Sequence, residues 1–209
     1  TYLPRRPVAQ AMSTGDSPGG RLREMVEGPE ITVMPGAFDA LSAMLVEDAG
    51  FETVFTSGFG LSASTLGMPD MGFLTGAENV DRVRHIAASV DVPLVADMDT
   101  GYGNPLNVRR TIEECLDAGV AGVILEDQQW PKRCGHMDEK RVVPASEHAE
   151  RIRAAADVRD GRDEDLVVIG RTDAREPLGL EEALDRGHAY AEAGADVVFV
   201  EAPEDREEM

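Results

Sequence analysis

The chain has 209 residues, with 40 acids against 20 bases, a net charge of -20 and a pI near 4.4. That balance argues against nucleic acid and anionic membrane as partners, and no apolar run approaches the ~20 residues that a membrane-spanning helix needs. The opening residues lack a signal-peptide pattern, and two cysteines, Cys115 and Cys134, give no disulfide framework, so a cytoplasmic protein is expected.

The bases are skewed: 18 are Arg and only Lys132 and Lys140 are Lys. Acidic, Lys-poor stretches such as DVRDGRDEDL (157–166) predict a very salty cytoplasm, where screening suppresses self-repulsion. Residues 1–28, rich in Pro, Gly and Ser at their start, read as an N-terminal arm, and residues 29–209 as one domain.

Taken in chain order, ITVMPG (31–36) is the first expected strand and residues 37–49 the first helix. A junction then repeats. LVEDAGFETVFTSG (45–58), ECLDAGVAGVILED (114–127) and YAEAGADVVFVEA (190–202) each end an amphipathic helix in Ala-Gly and continue as a β-branched run. Gly50, Gly119 and Gly194 can take the left-handed conformation that stops a helix, and the run that follows reads as a strand buried on both faces. VPLVADMD (92–99) and DLVVIGRTDA (165–174) supply two more strands, and helices are expected at 77–89, 105–118, 145–157 and 179–193. Asn104 is placed to cap the helix at 105–118, with Pro105 at its first position.

Six strands alternating with helices imply parallel pairing and right-handed crossovers. Polar residues crowd the C-terminal end of strand after strand: Ser57, Asp97 and Asp99, Glu126, Arg171 and Asp173, Glu201. The expected fold is therefore α/β, a (β/α)8 TIM-type barrel with its active face at those ends. Eight units usually need ~250 residues, so about six βα units are expected here, with the last strands and helices lying beyond Met209.

In LVADMDTGYG (94–103), Asp97 and Asp99 are one residue apart and would share a side of an ideal strand. Close carboxylates repel unless a cation or proton intervenes. With Glu126 ending the next strand they make an all-oxygen set suited to Mg²⁺, or to Mn²⁺ as the alternative. ILEDQQWPKRCGHMDEK (124–140) then runs as a long polar loop, the kind that serves barrels as a lid. Cys134, beside Arg133 and near His136, is the candidate proton donor to a carbon acid. Lys132 and Arg133 are candidates to grip substrate carboxylates, and Gly135 to let the loop close. Cys115 falls on an apolar-periodic helix position and reads as core.

The segments PGAFDALSA (35–43), TSGFGLSASTLGMPD (56–70), ADMDTGYG, LEDQQWPKRCGH, GRTDA and FVEAP, in this order, resemble the isocitrate lyase/phosphoenolpyruvate mutase superfamily. The Lys-Arg-Cys-Gly-His run resembles its carbon–carbon lyase branch. The resemblance implies a Mg²⁺-dependent lyase that splits a 2-hydroxy di- or tricarboxylate by a retro-aldol, Claisen-like step. Asp97, Asp99 and Glu126 would hold the metal with Asp70 in the outer shell. Ser57, Gly58 and Phe59 would clamp the oxo-acid carboxylate with Arg171, and Glu201 would lie among the substrate-binding groups. Cys134 would protonate the carbanion and His136 would position a substrate carboxylate. Isocitrate, cleaved to glyoxylate and succinate, is the first substrate expected, followed by 2-methylisocitrate, alkylmalates and oxaloacetate. Phe55, where isocitrate-cleaving members often have Tyr, and Phe59, where the larger isocitrate lyases have Trp, depart towards the short plant and fungal members. Phosphonate chemistry at the same metal site is a weaker reading, because it has no use for a thiol acid, and a non-catalytic barrel a weaker one still. A homotetramer is expected from the resemblance alone.

Overall fold

In a computed structural model, residues 17–135, 139–162 and 164–209 are described. Six parallel strands lie in sequential order β1 to β6, namely Gly36–Ala37, Val54–Thr56, Leu94–Asp97, Gly122–Glu126, Val167–Thr172 and Val197–Val200. Each pairs with the next, and the longest ladder runs from Gly122 opposite Val167 to Glu126 opposite Arg171. Helices alternate with them: α1 Pro18–Glu27, α2 Ala40–Asp48, α3 Gly58–Leu66, α4 Gly76–Ala87, α5 Pro105–Asp117, α6 Ala145–Arg162, α7 Arg175–Leu178 and α8 Leu180–Glu192. This is the sheet of a TIM-type (β/α) barrel, with β1 and β6 as its edges among the described residues.

Alternation along the strands divides the core. Leu94, Ala96, Val123, Leu125 and Val168 pack outward against the helices, while Val95, Ile124, Val167 and Ile169 face the barrel's interior. The interior is plugged from the N-terminal end by Leu22 of α1, which is fully buried. Burying a leucine contributes about 1.5–3 kcal/mol, and Gly122 makes room for it, since a Cβ there would come within 2.8 Å of Leu22 Cδ2.

Three elements depart from expectation. Residues 18–27, read as part of an arm, form α1, started by the Ser17 side chain, which accepts from the Gly20 N–H, with Pro18 at its first position. The expected strand 31–36 shrinks to Gly36–Ala37. Ile31 and Val33 are exposed, and Pro35 contributes a carbonyl to Phe55 N–H but has no N–H of its own to give. GFGLSASTL, where no helix was expected, is α3, capped by Ser57 and stopped by Gly67 at φ 63°.

The helix-to-strand junctions form as expected. Gly50, Gly119 and Gly194 take φ of 90°, 79° and 109°, and Asn104 Oδ1 accepts from Leu106 and Asn107 N–H ahead of α5. No helix among the described residues is long and apolar enough to cross a membrane.

Candidate active site

The C-terminal ends of β2, β3 and β4 meet around one buried cation. Lys132 Nζ lies 2.5 Å from Asp70 Oδ1 and 2.7 Å from Asp99 Oδ1, and all three side chains are nearly sealed from solvent. A Cβ at Gly58 would lie 3.1 Å from Asp97 Oδ2 and 3.2 Å from both Asp70 Oδ2 and Lys132 Nζ. Glycine at 58 lets the first turn of α3 sit close to this cluster without crowding it, and its N–H donates to Asp97 Oδ2 at 3.1 Å. Burial pulls the Lys132 ammonium down, but the surrounding carboxylates of Asp99, Asp97, Glu126 and Asp70 more than reverse this, so it stays charged.

Asp97 and Asp99 come together by a turn and not by strand alternation. Asp97 is the last residue of β3, and Asp99 takes the left-handed conformation at φ 49°, so that its N–H donates to Asp97 Oδ1 at 3.1 Å. The Asp99 carbonyl then accepts from Glu126 N–H at 2.8 Å. Tyr102 O–H donates to Asp99 Oδ2 at 3.0 Å, and Asn79 Nδ2 donates to both Tyr102 Oη and the Asp97 carbonyl. Tyr102 also meets Trp130 edge-on, with ring centroids 6.3 Å apart, which joins the loop after β3 to the loop after β4.

These carboxylates are short of positive charge. Burial, opposed by Lys132 and helped by Asp97 and Asp70, lifts the Asp99 carboxyl to about 6. Burial, with Asp173 adding to it, lifts Glu126 well above the usual carboxylate range. Glu126 Oε1 is buried and meets no hydrogen-bond donor among the described residues. Among those residues no three acid, thiol or imidazole groups already stand together as a metal cage; the Lys132 ammonium sits in their midst instead. An all-oxygen donor set with an orphaned acceptor and raised proton affinities nevertheless fits a hard divalent cation.

Beside this cluster, Arg171 lies opposite Glu126 in the β4–β5 ladder. Its Nε and Nη2 donate to the two oxygens of Asp173, each at 2.9 Å, and Nη2 lies 3.2 Å from Glu201 Oε2. Burial works against its charge, and Asp173, Glu126 and Glu201 together outweigh that and raise it. The cysteine loop rests on this pair: a Cβ at Gly135 would fall 2.5 Å from Arg171 Nη2 and 2.7 Å from Glu201 Oε1. Glycine at 135 thus lets the loop approach this pair without displacing either side chain. Cys134, the residue before it, is half-buried.

With this geometry in view, the chain can be set beside known proteins. The phosphoenolpyruvate phosphomutase family model matches residues 22–209. The chain belongs to the phosphoenolpyruvate mutase/isocitrate lyase superfamily. It is 47% identical over 189 residues to 2,3-dimethylmalate lyase of Eubacterium barkeri, covering 90% of this chain and 65% of that one. To 2-methylisocitrate lyase of Bacillus subtilis it is 42% identical over 195 residues, covering 93% and 63%. A third relative, at 48% over 193 residues and covering 90% and 56%, is the chloroplastic carboxyvinyl-carboxyphosphonate phosphorylmutase of Arabidopsis thaliana. The chain thus spans 56–65% of the lengths of these relatives. Among solved structures, oxaloacetate acetylhydrolase with 3,3-difluorooxalacetate superposes with a TM-score of 0.90 at 41% identity, over 92% of this chain and 66% of the other. Phosphonopyruvate hydrolase with oxalate and Mg²⁺ does so at 0.82 and 36%, over 90% and 64%.

In this superfamily member the residues singled out from sequence fall into two groups. Asp70, Asp97, Asp99, Glu126 and Gly58 gather around Lys132, and Arg171, Glu201 and the Gly135 peptide gather beside them. Lys132, expected to grip substrate, is instead buried and committed to Asp70 and Asp99; a side chain with three donors among carboxylates satisfies them before any ligand arrives. Arg133 pairs with Glu139 at 3.3 Å. Phe59, the second residue of α3, has a largely exposed side chain, so its backbone N–H and not its ring is what it offers the clamp. Ser57 caps α3 with its side chain, which leaves backbone N–H groups as the clamp's available donors. His136 lies outside the described residues. Asp173, expected with Arg171 on the active face, braces that guanidinium, and Tyr102, Asn79, Asp127 and Gln128 join it as supports that the sequence did not single out. Asp127 had a signal, since it directly adjoins a strand end; the others had none.

Proposed function

We propose that the protein is a carbon–carbon lyase that cleaves a 2-hydroxy di- or tricarboxylate, with Mg²⁺ bound at Asp97, Asp99 and Glu126 and with Asp70 beside them. The observation carrying this reading is the meeting of under-compensated buried carboxylates with a cysteine loop seated on Arg171. Bound there, Mg²⁺ would supply Lewis acidity and a template for a 2-hydroxy or 2-oxo carboxylate. The chain's own residues do the rest. Arg171, held by Asp173, anchors a substrate carboxylate, in exchange for Glu201. The first turn of α3 offers the Phe59 N–H to the same acid, and the Gly58 N–H in exchange for Asp97. Asp70, the carboxylate of the cluster not assigned to the metal, takes the proton of the substrate's hydroxyl. The bond between the carbinol carbon and its neighbour then breaks, its electron pair staying on the neighbour, and the Cys134 S–H gives that carbon its proton. The products are a 2-oxo acid and a saturated acid, and a closed loop keeps water from the carbanion.

The relatives move the favoured substrate from isocitrate towards 2-methylisocitrate and alkylated malates, with oxaloacetate hydrolysis and isocitrate as the alternatives. The phosphorylmutase relative supports a second reading, phosphonate chemistry on the same carboxylates, against which stands a thiol with no part in phosphoryl transfer. The test is a panel at low and high salt with Mg²⁺: pyruvate from 2-methylisocitrate, glyoxylate from isocitrate, cleavage of dimethylmalate, loss of oxaloacetate, and turnover of phosphonopyruvate. Full lyase turnover in Cys134→Ser would remove the thiol from the chemistry, and full turnover in EDTA would remove the metal. A cytoplasmic homo-oligomer, tetrameric by resemblance, belongs to the same proposal.

A further inference from the structure

We infer that Gln128 and Lys140 are positioning residues, a two-point clamp that fixes the Cys134 thiol over the site by gripping the peptides on either side of it. On the near side, the buried Gln128 amide brackets Arg133: Nε2 donates to the Arg133 carbonyl and Oε1 accepts from Arg133 N–H, both at 2.9 Å. On the far side, Lys140 Nζ donates to the Gly135 carbonyl at 2.9 Å and lies 3.5 Å from Asp173 Oδ1. Both gripping side chains are sealed from solvent, Gln128 at 1% and Lys140 at 4% exposure, whereas Arg133, Cys134 and Gly135 are half-exposed. Gln128 thus grips from the buried start of the loop beside β4, and Lys140 from its buried far end, where it is moored to Asp173 at the end of β5. Gln128 follows β4 by two residues, and Asp173, to which Lys140 is moored, follows β5 directly. The thiol's position is thus referred to the same two strand ends that carry Glu126 and Arg171.

The two grips differ in what else they touch. Among the described residues the Gln128 side chain holds loop backbone, while Lys140 also bears on Asp173, whose two oxygens brace the Arg171 guanidinium. An ammonium suits this task. It is a compact charge whose three rotatable donors can serve a carbonyl and a carboxylate lying in different directions. This accounts for a lysine at 140 in a chain whose other bases, Lys132 apart, are arginines. A displacement of the donor thiol by about 1 Å is enough to cost ~10²-fold in rate.

The inference rests on the reading of Cys134 as the proton donor, and the experiment separates the two. Alkylation of the protein by neutral iodoacetamide reports on the loop without substrate. Cys115 is fully buried and burial pushes its thiol up to about 12, so the reaction reads Cys134. Gln128→Ala and Lys140→Met are each expected to speed alkylation severalfold and to lower kcat by ~10²-fold. Gln128→Ala should leave KM nearly unchanged, and Lys140→Met should raise it as well, because Arg171 loses its brace. Unchanged alkylation in both variants overturns the clamp, whatever happens to turnover. Faster alkylation with wild-type kcat overturns it as a positioning device. Faster alkylation in a protein whose wild type turns over none of the substrates leaves the clamp standing and sinks the lyase reading. Should one variant fail to fold, the other decides by the same measurements.

Discussion

Glu126 and Asp127 are neighbours in sequence, both buried at the end of β4, and their surroundings are opposite. Asp127 is saturated: Oδ1 accepts from Asp173 N–H at 2.9 Å, and Oδ2 from Thr172 Oγ1, Tyr190 Oη and Arg186 Nη1 at 2.7–3.0 Å. Glu126 has an oxygen with no donor among the described residues and a proton affinity raised by burial. Strand alternation sends one carboxylate outward, where it ties α8 to β4 and β5, and the other inward to the cluster around Lys132. A buried carboxylate whose needs the chain meets is a structural tie, and one whose needs it leaves unmet is waiting for a ligand.

The largest effect that could break this contrast is on folding. Asp127→Ala leaves Arg186 Nη1, two hydroxyls and a backbone N–H without their acceptor. Removal of one partner of a buried ion pair costs about 3–5 kcal/mol, so a large fall in urea midpoint is expected. A midpoint close to wild type would deny Asp127 its role as a tie. Glu126→Gln should do the reverse. Folding stability stays level or rises, because a neutral amide relieves a buried, under-compensated charge, while lyase turnover falls by about 10²–10³-fold, the range for losing one preorganised electrostatic contact. A variant that loses stability and keeps turnover would exchange the two assignments.

A smaller effect probes the loop's seat on the cluster. Gly135→Ala brings a methyl against Arg171 Nη2 and Glu201 Oε1, both already fixed by ion pairs. The loop must then ride up, and kcat is expected to fall about tenfold or more with little change in urea midpoint, since few core contacts are involved. Wild-type kcat in this variant would mean that the loop does not close on Arg171 during turnover.

Much of the frame was legible because it depends on local rules. Ala-Gly at 49–50, 118–119 and 193–194 predicts left-handed helix stops from the chemistry of glycine alone, and polar strand ends locate the active face of a parallel barrel. What escaped depends on distant partners. Leu22 looks like one apolar residue in a polar arm until the barrel interior is there to receive it. GFGLSASTL has poor intrinsic helix propensity, and forms α3 because Ser57 caps it and its first turn meets Asp97. Lys132 looks like a substrate-binding base on a polar loop, and only the approach of Asp70, from a segment far away in sequence, turns it inward. Strand alternation puts Glu126 and Asp127 on opposite sides, but which of them is satisfied depends on distant partners: Arg186, Tyr190 and Thr172 on one side and a shortage of donors on the other.

The smallest effect sharpens the contrast through pH, in metal-free protein. Asp99 is raised to about 6, by burial first, against an unfolded value near ~3.9. The native state therefore holds the Asp99 proton more tightly. The stability this confers is fully present below about 4 and is lost as the pH rises through about 6. His148, buried edge-on against Tyr190, is lowered to about 3, by burial first and then by Arg151. Its neutral imidazole contributes stability that is present above ~6.5 and is lost as the pH falls towards about 3. The two groups tilt the stability curve in opposite directions between about 4 and 6, each by at most ~1.4 kcal/mol per pH unit, so the wild-type protein hides both. Asp99→Asn should gain on wild type steadily from pH 4 to 7, and His148→Phe should gain on it in the opposite direction, towards acid. Mg²⁺ would favour the charged Asp99, so its addition should stabilise wild type most above pH 6 and Asp99→Asn least. A Tm difference between Asp99→Asn and wild type that is constant from pH 4 to 7 would show that the carboxyl titrates alike in both states, and the cluster would then have no unmet demand for a cation.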